Sequence, residues 1–200
     1  MEDELALLER WRTGDTTAGR DLFRRYFADV HRFFEHKVGG EADDLAQRTF
    51  AACVAARDRF RAQSSFRTYL FAIARNELYT YLRRLPRGEH VDFEDTSIAA
   101  LVTTMGSRID RAREAEVLRA ILRDLPAEQQ LLLELHYWHD LDAPALAEVF
   151  EVPTGTIRVR LLRARRSLRE RLEGLEPRAF ASLASDGLVA SVTRPEAEAE

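Results

Sequence analysis

The chain has 200 residues and a formal net charge of −4, with 46% hydrophobic and 32% charged side chains, nine glycines, six prolines and one cysteine. That length and apolar content suffice for one or two small cores, and they exclude fibrous, low-complexity and disulfide-stapled classes. No apolar run is long enough to span a bilayer, and Met1-Glu2-Asp3-Glu4 lacks the pattern of a secretory leader, so a cytoplasmic protein without membrane insertion is expected.

Helical periodicity runs through nearly the whole chain and no alternating strand pattern of useful length occurs, so the expected class is all-α. A first helix over about residues 3–12 ends at Thr13-Gly14. Asp15 caps a second, whose Leu22, Phe23, Tyr26, Phe27, Val30, Phe33 and Phe34 predict a buried aromatic core. Gly39-Gly40 ends it. A third helix is expected from about Ala42 to Phe60, with Leu45, Phe50, Cys53 and Val54 inward and Asp43, Asp44, Gln47 and Arg48 outward. Cys53, beside Ala51, Ala52 and Val54, reads as a small core residue.

A short loop, Arg61-Ala62-Gln63-Ser64-Ser65, leads to a fourth helix from Phe66 to about Leu82. Phe66, Leu70, Ile73 and Leu78 serve the core, while Arg67, Arg75, Asn76, Tyr79, Tyr81, Arg83 and Arg84 are displayed. Aromatics interleaved with arginines suit unpaired bases, which stack on rings while their phosphates meet guanidinium groups. Tyrosines at helical spacing fit a core equally well. Residues 85–110 contain Pro86, Gly88 and Gly106 with acids at Glu89, Asp92, Glu94 and Asp95, the composition of a linker, with one helical turn expected at Ser97 to Val102. Helices follow at about Arg111 to Arg123 and Pro126 to His139.

Leu141 to Leu172 holds two helices around a tight turn. Asp142 is a good N-cap and Pro144 falls in the first turn, so the first of these helices runs to about Phe150. Glu151-Val152-Pro153 breaks it, with Glu151 where a helix-turn-helix often carries glycine. Thr154 or Thr156 is expected to cap the next helix, which puts Ile157, Leu161, Ala164, Leu168 and Leu172 on one face. From Thr154 to Arg171 seven arginines oppose one glutamate, a basic stripe on an acidic chain that points to a polyanion partner. A helix-turn-helix sets the start of its second helix in the major groove, which makes Thr156, Arg158, Val159 and Arg163 the expected readers.

Three stretches together, GEADDLAQRTF, SSFRTYLFAIARNELYTYLRR and LPAEQQ…PTGTIRVRLLRARRSL, resemble the compact extracytoplasmic-function (ECF) sigma factors of the bacterial sigma-70 family. The likeness extends to GDTTAGRDLFRRYFADVHRFF and so covers nearly everything from Leu5 to Leu172. It implies two small helical domains joined by a linker: residues 1–86 for core polymerase and the minus-ten element, 87–110 as linker, and 111–175 for the minus-thirty-five element. Residues 176–200 then form an extension, with a marginal amphipathic helix expected around Phe180, Leu183 and Leu188. The implied partners are core RNA polymerase, promoter DNA and, optionally, an anti-sigma factor; no cofactor, metal or catalytic group is implied. Asp43, Asp44 and Gln47 match the helix that docks on the polymerase clamp. Arg61, Ser64, Ser65 and Phe66 match the element that captures a flipped minus-ten base. Arg75, Asn76, Tyr79 and Arg83 match the adjacent strand-separating helix. Arg158, Val159, Leu162 and Arg163 match positions that reach base edges, with Thr156, Arg160 and Arg165 near phosphates.

Two other classes stay open on the residues alone. A free-standing helix-turn-helix regulator would also explain Leu141 to Leu172. A metal-dependent enzyme would rest on His31 with His36, or His136 with His139, although neither pair has a carboxylate-rich surrounding.

Overall fold

The structure, a computed structural model, describes residues 4–57, 60, 64–86, 91–102 and 114–174. Among these residues it is helical, without a named strand: α1 (Glu4–Arg12), α2 (Thr16–Val38), α3 (Ala42–Ala55), α4 (Phe66–Arg84), α5 (Ile98–Leu101), α6 (Glu114–Arg123), α7 (Ala127–Tyr137), α8 (Ala143–Phe150) and α9 (Thr154–Glu173). No described helix is long and apolar enough to cross a membrane.

Side-chain caps account for four of the described helix starts. The Asp15 carboxylate accepts from Thr17 N and Ala18 N at the head of α2, and these bonds with the Arg10 guanidinium hold its pKa below the ordinary value. Ser65 caps α4 through Thr68 N, Ser97 caps α5, and Asp142 caps α8 with proline in the first turn. Helix α9 departs from expectation, because Thr154 is already helical and neither threonine caps it. Pro153 stands at the N-cap, and its carbonyl accepts from Thr156 N and Ile157 N.

The N-terminal helices close around aromatic rings. Phe66 is the hub, with Trp11, Tyr26 and Phe60 at centroid distances of 5.7, 5.4 and 6.2 Å. Trp11 also explains Gly19, since a Cβ there would lie 2.5 Å from Trp11 Cδ1. α3 is shorter than its apolar pattern predicts. It stops at Ala55, which lets the buried Phe60 fold back onto Tyr69 at 4.7 Å. Val54 is accordingly 49% exposed rather than inward, because it falls beside the buried stripe of Leu45, Ala46, Thr49 and Cys53. Cys53 itself is fully buried, and desolvation pushes its thiol up to about 12.

In the C-terminal part α7, α8 and α9 pack on one another, and α6 joins them through a separate small core of Leu118, Leu122, Leu125, Leu133, Ala164, Leu168 and Leu172. The larger core does not stop at the linker. It runs from α2 and α4 into Leu131, Leu132 and Leu135 of α7 and into Leu146, Val149 and Phe150 of α8. α4 and α8 are in direct contact, so the two helical regions lie face to face.

Two polar contacts mark this seam. Lys37, fully buried near the end of α2, donates to Phe33 O at 2.5 Å and pairs with Glu134 of α7, which also accepts from Gln130 at 2.9 Å. Burial lowers the Lys37 pKa while Glu134 opposes the shift. Beside this pair, His139 is wedged 4.4 Å from the Phe71 ring, and its carbonyl accepts from Arg67 at 3.0 Å. Desolvation, reinforced by Lys37, Arg67 and Arg32, brings the imidazole down to about 3 and keeps it neutral. His136 instead bonds Leu141 O through Nδ1 at 2.8 Å.

Candidate nucleic-acid interface

Two basic surfaces emerge from these elements, one on α9 and one on α4. On α9 the apolar stripe Ile157, Leu161, Ala164, Leu168 and Leu172 is buried, which turns the opposite side outward. Arg158 and Arg163 are exposed, and between them Val159 and Leu162 are 49% and 51% exposed. Thr156 is half-buried in the first turn. The turn that sets the angle between α8 and α9 places Glu151 in the left-handed region, at φ 57° and ψ 40°. Glu151 therefore adopts the conformation usually left to glycine, held by hydrogen bonds from its N–H to Ala147 O and Glu148 O.

Arg160 and Arg165 sit differently. Arg160 pairs with Glu128 of α7 and, at 2.9 Å, with Glu94. Burial raises the Glu128 pKa, and Arg160 opposes the shift. Arg165 lies 3.4 Å from His136 Nε2 and 5.7 Å above the Tyr137 ring. Both expected phosphate contacts are thus also braces between α9 and α7.

On α4 the expected display is covered in part. Tyr79 is buried rather than exposed, and desolvation pushes its phenol up to about 12. Arg75 is sandwiched between Tyr79 and Phe150 of α8, at 4.6 and 4.8 Å from the ring centroids, with Val149 O at 3.5 Å. Asn76 and Arg83 stay exposed along one edge. Phe93, from the segment before α5, stacks on Tyr79 at 4.1 Å and 17°, and the Arg83 guanidinium lies 5.1 Å from the Phe93 ring. A cleft of about 620 Å³ opens beside this stack, between Arg75, Asn76, Thr80 and Glu128. Of the residues expected to capture a base, Ser64 is half-buried, Ser65 is engaged as a cap and Phe66 is 1% exposed at the core's centre; Arg61 lies outside the described residues.

Asp43, Asp44 and Gln47 form a third surface, exposed on the first turns of α3. Asp43 lies 3.1 Å from His31 Nε2 and Asp44 pairs with Arg48 at 2.7 Å. Phe27, 45% exposed, lies alongside His31. The expected helix in residues 176–200 falls outside the described residues. The composition of 85–110 reads as a linker with one helical turn at Ser97 to Val102, and that reading did not foresee Phe93 on Tyr79 of α4 or Glu94 on Arg160 of α9. A single aromatic between acids was the available signal.

Residues 22–88 match the family profile described as Sigma-70 region 2, and residues 115–168 match Sigma-70, region 4. The chain is 27% identical over 180 residues to the ECF RNA polymerase sigma-E factor of Haemophilus influenzae, covering 85% of this chain and 95% of that one. Identity is also 27%, over 179 residues, to the protein of the same name from Escherichia coli K12, covering 84% and 94%. The fold is similar to CnrH, solved in complex with the cytosolic domain of CnrY, with a TM-score of 0.62, 21% identity and coverage of 87% and 99%. A second similar fold is the sigma factor RpoE of Bartonella quintana, solved with the anti-sigma factor NepR, at TM-score 0.60, 22% identity and coverage of 78% and 98%.

Proposed function

We infer that this chain, which belongs to the sigma-70 family as an extracytoplasmic-function sigma factor, directs core RNA polymerase to promoters by dividing the work among the three surfaces. The observation that carries this reading is the succession, in one chain, of region 2 over residues 22–88 and region 4 over 115–168. The exposed reading face of α9 supports it. Residues 1–86 take the polymerase and the minus-ten element, 87–110 connect, 111–175 take the minus-thirty-five element, and 176–200 extend beyond.

Asp43, Asp44 and Gln47 dock on the polymerase, where their exposure and charge suit a basic partner surface. Arg158 and Arg163 read base edges in the major groove, while Val159 and Leu162 offer apolar contact to thymine methyls. Thr156, Arg160 and Arg165 hold the flanking phosphates. Arg61 and Ser64 receive an extruded minus-ten base on a loop that the Ser65 cap and the buried Phe66 anchor, and Arg75, Asn76, Tyr79 and Arg83 hold the separated strand.

Opening the duplex in this way takes no bond chemistry. Unstacking a base costs a few kcal/mol, and stacking on an aromatic ring returns about 1–3 kcal/mol per base, so the protein need only favour extruded bases over stacked ones. Because α8 and Phe93 cover Arg75 and Tyr79, minus-ten binding requires α4 to part from the C-terminal region. The protein works beside the polymerase in the cytoplasm without a cofactor, and an anti-sigma factor of the kind seen with the Bartonella protein is a fitting third partner.

The deciding experiment is to mix the purified chain with core polymerase, isolate the complex and sequence the genomic fragments from which it starts transcripts. Co-elution with core enzyme and initiation from a shared two-element sequence are expected. Tight sequence-specific duplex binding by the chain alone, with no stable core complex, would instead favour a free-standing regulator.

A further inference from the structure

We propose that residues 92–95, Asp92-Phe93-Glu94-Asp95, are an internal imitation of DNA that covers the aromatic part of the α4 surface and engages one phosphate-binding arginine, Arg160, at the edge of the α9 surface of the free chain. The inference rests on the sigma-factor reading of α4 and α9. Phe93 takes the place of a base: its ring lies 4.1 Å from Tyr79 at an interplanar angle of 17°, with Arg83 at 5.1 Å from its centroid. A stacked base beside a guanidinium would make the same two contacts. Glu94 takes the place of a phosphate, with its carboxylate 2.9 Å from Arg160 of α9. Three of the four residues are acidic, and the segment touches α4 through Tyr79 and Arg83 and α9 through Arg160.

The segment is held in register rather than draped. Phe93 O and Thr96 O accept from Glu128 N and Ala127 N, at 3.0 and 2.9 Å, which satisfies N–H groups that the first turn of α7 leaves open. Asp92 accepts from Glu94 N at 2.8 Å, and α5 buries Ile98 and Leu101 just downstream. Glu128 adds a second carboxylate on Arg160. One short stretch thereby blocks stacking on Tyr79 and neutralises a minus-thirty-five phosphate contact, so its departure bares the outer face of the Tyr79 ring and removes one of the two carboxylates on Arg160 at the same time.

The test uses the full-length chain without polymerase and two labelled probes, a mixed-sequence 20-nucleotide single strand and a mixed-sequence 30-base-pair duplex. Phe93→Ala combined with Glu94→Ala should bind the single strand about tenfold more tightly than wild type, the gain expected if roughly one molecule in ten is unmasked at rest. Glu94→Gln alone, at a side chain 61% exposed that leaves the core untouched, should tighten duplex binding about threefold and barely change single-strand binding. Unchanged affinity of both variants for both probes overturns the proposal. If the double variant loses its helical circular dichroism, hydrogen exchange on wild type decides. Saturating single strand should speed exchange of the amides in 91–102, and unchanged exchange overturns the mask.

Run-off transcription with core enzyme keeps this separate from the sigma function. A chain that programs the polymerase but whose variants bind DNA like wild type loses the mask and keeps the function. A chain that does not program it, yet whose variants bind more tightly, loses the function and keeps the mask.

Discussion

α4 and α9 carry similar side chains to different ends. Both set arginines among apolar or aromatic residues at helical spacing, and both were expected to face nucleic acid. On α9 the face bearing Arg158, Val159, Leu162 and Arg163 is exposed, whereas Arg75 of α4 is enclosed between the Tyr79 and Phe150 rings. An arginine over an aromatic ring gains about 0.5–2 kcal/mol, increasing as water is excluded, so the charge that suits phosphate also suits a buried seam. Local pattern identifies a basic helix; what packs on it decides whether the basic face is available.

If α4 is covered by a firm seam, the seam should be expensive to break. Lys37→Met leaves Glu134 buried without its partner and should lower stability by about 3–5 kcal/mol in urea unfolding, while adding Glu134→Leu should restore much of the loss. A single variant as stable as wild type would show a loose, wet seam and erase the contrast with α9.

On the exposed helix, Arg158→Ala or Arg163→Ala should relax base preference at one minus-thirty-five position at about 1–3 kcal/mol per lost bidentate guanine contact. Arg165→Ala should weaken all promoter variants alike. Its bracing of α7 through His136 and Tyr137 predicts an accompanying loss of thermal stability. Uniform losses for all three would mean that α9 positions the protein and does not read sequence.

Acid should act on the seam before it acts on α9. The folded His139 titrates near 3, below its ordinary value of 6.5, so the folded chain binds fewer protons than the unfolded chain between these values. The stability contribution is therefore intact above about pH 6.5 and is lost as the pH falls towards 3. Between pH 6.5 and about pH 5.5 wild type should lose about 1 kcal/mol more than His139→Phe, which keeps an aromatic against Phe71 but cannot protonate. Matching losses would place the pH sensitivity elsewhere. The smallest stability effect belongs to Asp43→Ala with Asp44→Ala: a few tenths of a kcal/mol in unfolding, as for other exposed pairs, alongside clearly weaker binding to core polymerase.

Much of this was readable from residue order. Asp15, Asp142, Gly39 and the aromatic run of α2 announce helix starts, stops and a core through short-range chemistry that a few neighbouring residues determine. The outward placement of Asp43, Asp44 and Gln47 and of Arg158, Val159, Leu162 and Arg163 follows from the same periodicity. The seam was not readable, because it depends on pairs far apart in sequence. Lys37 does fall four residues after Phe33, on the buried stripe, but only the folded chain brings Glu134 to it. Tyr79 was ambiguous for a related reason: Phe93 and Phe150, which decide its burial, sit on other elements. The capping of α9 by Pro153 shows a further limit, since Thr154, Thr156 and Pro153 all suit the start of a helix and backbone geometry chooses among them.

The buried Cys53 has a practical consequence. With its thiol pushed up to about 12 and fully enclosed, only on the order of 10⁻⁵ of it is thiolate near neutral pH, so oxidants and alkylating reagents have almost nothing to attack in the intact fold. It is the chain's single cysteine, and labelling can therefore occur only through openings that uncover α3. The alkylation rate of the unmodified protein becomes a clock for those openings, and comparing it with and without polymerase or DNA would report how far each partner loosens or tightens the N-terminal core, without any introduced probe.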